Sequence, residues 1–248
     1  MIQIHPVTGM GEVVAGGDIA ALLADALRPL APADGDILVV TSKIVSKAEG
    51  RHVSLGDVEP GERATEIAGA IGKDARLVEL VLRESTDVVR TGRNVLITRH
   101  RLGLVMANAG IDASNIGTGD EDMVLLLPDD PDASARVLCD ALRERLGVSL
   151  GIVLSDSFGR PWRHGVVNVA VGAAGIPAII DRRGEIDRDG RVMQVTQIAQ
   201  GDLIASAAGL AMGEGAEGIP AVLVRGVTVP GDMPASALVR PVNEDLFR

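Results

Sequence analysis

Aromatic residues are almost absent from this sequence. Its 248 residues include no tyrosine, two phenylalanines and one tryptophan. The hydrophobic core must therefore be built from Ala, Val, Leu and Ile, which supply most of the 46% of residues that are hydrophobic. That hydrophobic fraction is typical of a globular chain and excludes a disordered one. A chain of more than roughly 150 residues buries about 70% of its unfolded surface, so a sizeable core is expected.

Cysteine and positive charge are also scarce. One cysteine, Cys139, excludes an internal disulfide and favours a reducing compartment. A formal net charge of −10 disfavours nucleic-acid binding, because phosphates are normally met by a basic surface. No apolar run approaches the ~20 residues of a membrane span, and no basic-plus-apolar segment marks a signal peptide. The sequence thus predicts a soluble, cytoplasmic protein with neither a nucleic-acid nor a membrane partner.

Strand and helix signals mix irregularly along the chain, which predicts a mixed α/β (α+β-like) fold in a single domain over residues 1–248. Asp18 and Asp74 are predicted helix caps, and Gly147 is a predicted helix end. Residues 44–47 are predicted to be extended, and residues 155–165 to form a loop after a strand. The other predicted strands are 2–7, 37–40, 94–99, 103–107, 123–127, 150–154, 166–171, 178–180 and 221–225, and the predicted helices are 19–30, 60–71, 74–84, 131–146 and 197–212.

The sequence motifs of several common enzymes are absent. There is no G-x-x-x-x-G-K-[ST] phosphate loop, no G-x-S-x-G nucleophile motif and no H-E-x-x-H metal motif. The four histidines are scattered at positions 5, 52, 100 and 164. Ordinary hydrolase and zinc chemistries are therefore disfavoured.

Two segments each combine an apolar strand with an oxygen-rich stretch. One leads to Asp112, and the other, which carries the only tryptophan, leads to Asp156. Each aspartate stands near neutral oxygen donors, Ser114 and Asn115 in the first segment and Ser157 in the second. Hard cations such as Mg²⁺ and Mn²⁺ prefer oxygen ligands and often take only a few of them from the protein. The two segments together are therefore candidates for a divalent-metal site.

Cationic residues accompany these acidic segments. Arg160 and Arg163 follow Asp156, where they could stabilise charge on a transferring phosphoryl group. Lys43 and Lys47 lie among hydroxyl-bearing residues after a predicted strand, where a nucleotide phosphate could be met. The residues alone predict metal-assisted phosphate chemistry.

Each of these residues also has a purely structural interpretation. An aspartate at a strand–loop junction is more often a turn or cap residue than a metal ligand. Arg160 and Arg163 could be surface cations packed on Trp162. Lysines at strand ends are usually solvated. The pattern therefore leaves the substrates and the reaction open.

Three strings of the sequence occur together in one family. They resemble the coenzyme F420-0:L-glutamate ligases, the γ-glutamyl ligases of coenzyme F420 biosynthesis, in order and in separation. The likeness extends from residue 2 to about residue 227, and the stand-alone form of the family is expected. The strings are Thr41-Ser42-Lys43-Ile44-Val45-Ser46-Lys47-Ala48-Glu49-Gly50-Arg51, Ala107-Asn108-Ala109-Gly110-Ile111-Asp112-Ala113-Ser114-Asn115 and Ser155-Asp156-Ser157-Phe158-Gly159-Arg160-Pro161-Trp162-Arg163.

The resemblance implies a mixed α/β fold with intertwined lobes and mixed sheets, assembled as a homodimer. It implies GTP as co-substrate, L-glutamate and F420-0 as substrates, and Mg²⁺ or Mn²⁺ (two divalent ions) together with K⁺. In the implied reaction the γ-phosphoryl group of GTP passes to the terminal carboxylate of F420-0, and the amine of glutamate then displaces phosphate from the acyl phosphate. Further γ-linked glutamates could follow. Lys47, Arg160 and Arg163 would offset the developing negative charge.

Individual site residues follow from the motif match. The family often has Leu or Ile followed by Pro where Met10-Gly11 stands, and Thr is more usual at position 157. The residues matched to metal ligands are Asp112, Asp156 and Ser157, and those matched to GTP contacts are Met10, Gly11, Glu12, Val13, Ser42, Lys47 and Asn115.

Two positions depart from the family pattern. Gly201-Asp202-Leu203 stands where relatives usually read Ala-Asp-Glu, and Asn168 stands where many bacterial relatives have an acid. Two alternatives therefore stay open. One is a ligase of the same fold with a different acceptor or amino acid, and the other is a non-catalytic nucleotide-binding paralogue.

Overall fold

A computed structural model describes residues 1–117, 122–227 and 230–246. Helices and strands occur in comparable proportions, so the predicted mixed α/β class is confirmed. Within these ranges no helix is long and apolar enough to cross a membrane. The helices are α1 (Ile19–Leu27), α2 (Ser42–Ala48), α3 (Glu62–Ile71), α4 (Ala75–Arg83), α5 (Pro131–Leu146) and α6 (Gln200–Met212). The strands are β1 (Gln3–Val7), β2 (Ile37–Thr41), β3 (His52–Ser54), β4 (Ser85–Gly92), β5 (Val95–His100), β6 (Val105–Ala107), β7 (Met123–Leu125), β8 (Gly151–Arg160), β9 (Arg163–Ala174), β10 (Ile180–Asp181), β11 (Gln197–Ile198) and β12 (Ala221–Arg225).

The largest sheet has five strands in the order β1–β12–β2–β8–β9. Its neighbours β2 and β8 run parallel, and the other three pairs are antiparallel. Leu38 and Val40 of β2 pack with residues of α1 and α5, whereas Val39 packs with residues of α6 on the opposite face. Because helices cover both faces, β2 is a continuous apolar run and does not alternate.

The parallel pair brings two polar segments together. Thr41 at the end of β2 is paired with Ser155 in β8. Since parallel strands point the same way, the residues that follow each of them emerge at the same edge of the sheet. This edge therefore carries Ser42 and Lys43 beside Asp156.

The segment after β2 is helical, so the expectation of an extended piece at residues 44–47 is wrong. The β-branched residues Ile44 and Val45 favour a strand by local preference. Both are buried on α2, which packs against α1, β2 and β8. Tertiary packing thus overrides the local preference, and it also buries Lys47 on this helix.

The stretch expected to be a loop at residues 155–165 is instead the end of a long hairpin. β8 continues to Arg160, and β9 begins at Arg163. Between them, Trp162 adopts a positive φ of 59° in the turn. Polar residues do not end the strand here because an antiparallel pair can leave one face in water. Asp156 is therefore a strand residue, held by ladder hydrogen bonds.

Three smaller sheets complete the description of the strands. β4, β5 and β6 form an antiparallel three-stranded sheet, β3 pairs with β7, and β10 pairs with β11. The sequence predictions missed β4 because it is mostly polar and exposed and interrupted by bulges. Shortly after β6, Asp112 exchanges two backbone hydrogen bonds with Leu125 of β7, at 2.9 and 2.8 Å. This bridge fixes the Asp112 backbone.

Partly buried ion pairs connect the start of β4 and the end of β5 with the segment that follows α2. Glu84 Oε2 lies 3.4 Å from His100 Nε2 and 3.1 Å from Arg101 Nε. It also lies 3.4 Å from Arg51 Nη2. His100 is fully buried, and its Nδ1 accepts a hydrogen bond from the Leu102 N–H, so Nε2 carries the proton that faces Glu84. The nearby N–H of His100, with the two guanidinium charges, lowers the pKa of Glu84 to about 2 despite its desolvation.

Glu84→Gln should lower the free energy of unfolding by about 3 kcal/mol at neutral pH, since one unit of pKa shift corresponds to about 1.4 kcal/mol. The folded-state pKa lies below the ordinary value of 4.5. The stabilisation is therefore complete above that value and disappears as the pH falls towards about 2. Urea unfolding of both proteins between about pH 7 and pH 3 should show their difference shrinking. A difference that stays constant with pH would contradict this account of the Glu84 cluster.

Candidate functional site

A cavity of about 770 Å³ opens where β2 ends beside β8. Small-molecule sites typically occupy about 300–1,000 Å³. Its lining comes from segments that are far apart in the sequence. They fall within residues 10–13, 41–47, 106–115, 155–159 and 212–220, with Asn168 from β9.

All of the residues matched to metal ligands and nucleotide contacts line this cavity. They come from four separate segments, so the fold brings together what the sequence spaces widely. Which ligand each residue binds stays a prediction. The residues are Met10, Gly11, Glu12, Val13, Ser42, Lys47, Asp112, Asn115, Asp156 and Ser157.

The two arginines of the hairpin lie elsewhere. Arg160 and Arg163 flank the turn between β8 and β9 and are not among the described residues that line the cavity. The guanidinium of Arg160 donates a 3.2 Å hydrogen bond to the carbonyl of His164 within the same hairpin. Their role in stabilising a transferring phosphoryl group stays a prediction, and this cavity adds no contact in its favour.

Asp112 and Asp156 lie close enough for their charges to interact. The Asp156 carboxylate accepts hydrogen bonds from the Ser42 side chain and from the Ser157 N–H. Desolvation, and then the negative charge of Asp112, raise the pKa of Asp156 to about 7. Desolvation also raises the pKa of Asp112, and Lys43 opposes that increase. Two carboxylates thus share a desolvated space with too little positive charge around them.

This excess of negative charge fits a divalent cation. The neutral donor next to the pair is Ser157, whose hydroxyl lies 2.8 Å from both carboxylate oxygens of Glu214. Among the described residues there is no group of three or more His, Cys, Asp or Glu side chains that would form a metal cage. Mg²⁺ commonly uses one or two carboxylates and completes its shell with phosphate and water. The site therefore suits a metal that is shared with a phosphate ligand.

Lys43 is the cation nearest to Asp112. Its Nζ lies 3.4 Å from Asp112 Oδ2 and donates a 3.0 Å hydrogen bond to the Ser114 carbonyl. Motif matching did not assign Lys43 to the site. The sequence nevertheless indicates a place for Lys43 in the site, because Lys43 directly follows Ser42 at the end of an apolar strand.

A second ion pair lies on the same helix. Lys47 Nζ is 2.6 Å from Glu12 Oε1, and the Lys47 side chain is 8% exposed whereas that of Glu12 is 63% exposed. Gly117 passes directly over the pair with φ of +83°, and a Cβ there would lie 2.5 Å from Glu12 Oε1. The buried ammonium of Lys47 is therefore directed towards the cavity and neutralised by a carboxylate that water can reach.

Sequence reasoning missed the loop after α6, which lines the cavity. Gly213 ends the helix with φ of 72°, and Glu214 and Glu217 follow it. Glu217 accepts a 2.8 Å hydrogen bond from the Gly215 N–H, so the loop folds back on itself. The sequence feature that indicates this loop is the run Gly-Glu-Gly-Ala-Glu-Gly, which alternates turn residues with acids.

The two departures from the family pattern have different locations. Asn168 is buried, lines the cavity and is paired with Ser157 across the hairpin. Leu203 is exposed on α6 and is not among the described lining residues. Its neighbour Asp202 accepts a 2.9 Å hydrogen bond from the Ala170 N–H. The amide at position 168 is therefore the departure that bears on this cavity.

Asp156→Asn should stabilise the metal-free protein at alkaline pH. Because the folded-state pKa of Asp156 is raised to about 7, wild type loses stability as the pH rises from about 4 through about 7. The variant lacks this cost, so its stability relative to wild type should increase by up to about 4 kcal/mol over the same range. Chemical denaturation in the presence of a chelator measures it. A relative stability that does not change with pH would contradict the charge interaction at this pair.

Comparison with known proteins identifies the family of the chain. A sequence model described as F420-0:Gamma-glutamyl ligase matches residues 9–226. The coenzyme F420:L-glutamate ligase of Methanopyrus kandleri is 44% identical over 252 residues, which cover 100% of this chain and 98% of that protein. The ligases of the same name from Methanothermobacter thermautotrophicus (44% over 252 residues; 100% and 99% covered) and Archaeoglobus fulgidus (42% over 247 residues; 100% and 96%) are similar. Since the matched span includes every segment that lines the cavity, the chain belongs to the F420-0:gamma-glutamyl ligase family.

Proposed function

We propose that this chain is a GTP-dependent ligase that joins L-glutamate to coenzyme F420-0 and releases GDP and phosphate. The names of full-length relatives support the ligase activity and its substrates. The observation that carries the proposal is the convergence of Asp112, Asp156 and Lys47 on one cavity. Nucleotide-driven ligation needs metal ligands and a phosphate-binding cation in the same place.

The chemistry begins with activation, because a carboxylate and an amine do not condense spontaneously in water. A carboxylate oxygen of F420-0 attacks the γ-phosphorus of GTP, and the bond from that phosphorus to the bridging oxygen breaks to release GDP. The glutamate amine then attacks the acyl carbon, and the bond from carbon to the phosphate oxygen breaks. The proton lost by the amine passes to water or to the phosphate released.

Divalent ions, Mg²⁺ or Mn²⁺, would neutralise negative charge on the phosphate oxygens in this reaction. Asp112, Asp156 and Ser157 would hold them, with Glu214 adding a carboxylate through its contact with Ser157. This set consists only of oxygen donors, which suits hard cations. The second divalent ion, K⁺ and the homodimer are proposed on the family resemblance alone.

The nucleotide would lie against α2 and the segments that face it. Lys47 is the cation available for its phosphates, provided that a phosphate oxygen replaces Glu12 as the partner of the ammonium. Ser42 and Asn115, with residues 10–13, supply the remaining contacts of the proposal. An acidic chain can hold an anionic nucleotide in this way because the cations are local to the cavity.

A ligase of the same fold with a different acceptor or amino acid is the second candidate. Asn168 favours it, because this amide lies in the cavity wall at a position where many bacterial relatives have an acid. Replacing a charged side chain by an amide would change the interaction of the cavity wall with an amine or a carboxylate of the substrate. The non-catalytic alternative has less in its favour, because both aspartates of the pair are present and converge.

The proposal predicts a glutamylated product. The purified chain, incubated with F420-0, GTP, L-glutamate and Mn²⁺, should give F420 carrying at least one glutamate by mass spectrometry, with an equivalent amount of GDP. A set of other amino acids in the same assay tests the second candidate. GTP binding without any ligated product would contradict both ligase functions.

Asp156→Asn should lower kcat by about 100- to 1,000-fold, because removing one group that stabilises transition-state charge typically costs that much. Asp140→Asn is the matched control, since Asp140 lies on α5, pairs with Arg143 and is not among the described lining residues. The control should keep the wild-type rate. An Asp156→Asn enzyme with a near-normal rate would refute the role of this carboxylate.

A further inference from the structure

Lys43 supplies positive charge to both aspartates of the cavity. Its Nζ lies 3.4 Å from Asp112 Oδ2. Asp156 lies at the same edge of the sheet, because Thr41, which precedes Ser42 and Lys43, is paired with Ser155. The side chain of Lys43 is 26% exposed. The cavity therefore contains its own cation at the carboxylate pair.

The position of Lys43 follows from the fold around it. Ser42 and Lys43 come directly after β2, and β2 is paired in parallel with β8, which carries Asp156. The Ser42 side chain is hydrogen-bonded to Asp156, and the Lys43 ammonium faces Asp112. Ser42 thus places a neutral hydrogen-bond donor at Asp156, and Lys43 places a positive charge at Asp112. A cation in this position interacts with the same carboxylates that are proposed to hold metal.

A divalent ion and the Lys43 ammonium compete for the same negative charge. A metal coordinated by Asp112 would be repelled by an ammonium that lies 3.4 Å from a carboxylate oxygen of that residue. The ammonium is carried on a flexible four-carbon chain, so it can leave without a movement of the backbone. Metal binding should therefore displace Lys43.

We propose that Lys43 is the resident counter-cation of the Asp112–Asp156 pair, and that its displacement couples metal binding to nucleotide binding. The inference rests on the function proposed above, in which the pair holds metal and the same cavity holds the nucleotide. Without ligands, Lys43 lowers the metal affinity of the pair. With a nucleotide bound, the phosphate oxygens accept the released ammonium, so the metal binds more tightly. By linkage, the metal raises the nucleotide affinity by the same factor.

The loop after Asp112 is part of this coupling. Lys43 donates a hydrogen bond to the Ser114 carbonyl, next to Asn115, which is one of the matched nucleotide contacts. The carbonyl of Ile116, the residue after Asn115, lies 3.1 Å from His52 Nε2. When Lys43 is released, its hydrogen bond to the Ser114 carbonyl is lost, whereas the contact between His52 and the Ile116 carbonyl remains. The position of Asn115 then depends on whether metal is bound.

Lys73 provides the matched control. It follows α3 and is not among the described residues that line the cavity. Lys73→Met removes the same charge from the chain outside the cavity, so it should leave the metal affinity of the nucleotide-free protein unchanged.

The first experiment measures Mn²⁺ binding to the nucleotide-free full chain from the electron paramagnetic resonance signal of the free ion. Lys43→Met and Lys43→Gln should each bind Mn²⁺ about tenfold more tightly than wild type, within the usual range of coupling between sites. Lys73→Met should bind it as wild type does. Circular dichroism establishes that the variants are folded. Mn²⁺ affinity that is unchanged or weaker in the folded Lys43 variants would overturn the proposal.

The second experiment measures the affinity of a fluorescent GDP analogue with chelator and with saturating Mn²⁺. The ratio of the two affinities should be about tenfold larger in wild type than in Lys43→Met, because the variant keeps any contact between metal and phosphate but lacks the release of Lys43. A wild type in which metal has no effect overturns the proposal without any variant. A ratio in the Lys43 variants equal to that of wild type overturns the role of Lys43, whereas a wild type that binds neither Mn²⁺ nor the analogue refutes the proposed function as well.

Discussion

The parallel pairing of β2 with β8 is the constraint on which the rest of the site depends. Both strands are apolar because helices cover both faces of the sheet, and both point towards the same edge. The alignment of Thr41 with Ser155 places the start of α2 beside Asp156. Asp112 reaches the same edge by a different route, through its backbone bridge to β7. Catalytic groups at the carboxyl ends of neighbouring parallel strands are a general feature of such sheets.

Charge balance is the second organising feature of the cavity. Each lysine of α2 is paired with a carboxylate from another segment, Lys43 with Asp112 and Lys47 with Glu12. In a chain of net charge −10, such pairs keep two cations at the cavity. Asp156 has a neutral donor from Ser42 and a raised pKa, so the carboxylate pair remains short of positive charge. Ligands would therefore exchange partners with existing ion pairs and not enter a neutral pocket.

The sequence was sufficient where local chemistry decides the structure. Asp18 and Asp74 cap helices as predicted, because a carboxylate can satisfy free N–H groups without help from distant residues. Prediction from the sequence failed where contacts between distant residues decide the local structure. Ile44 favours a strand locally but is buried in a helix, and Asp156 lies in a hairpin strand although its neighbours have loop composition. The place of Glu214 in the cavity could not be predicted, because it depends on where α6 ends relative to β8. The site residues themselves came from motif resemblance, and their convergence required the fold.

In the proposed function, Asp112 and Asp156 would hold a metal ion in the same cavity that holds the nucleotide phosphates. A crystal structure of the protein with GDP and Mn²⁺ would test this most directly, because Mn²⁺ can be located by its anomalous signal. An anomalous peak is expected at the carboxylates of Asp112 and Asp156, with the diphosphate beside Lys47. An ion bound elsewhere, or a nucleotide outside the cavity, would contradict the proposed function.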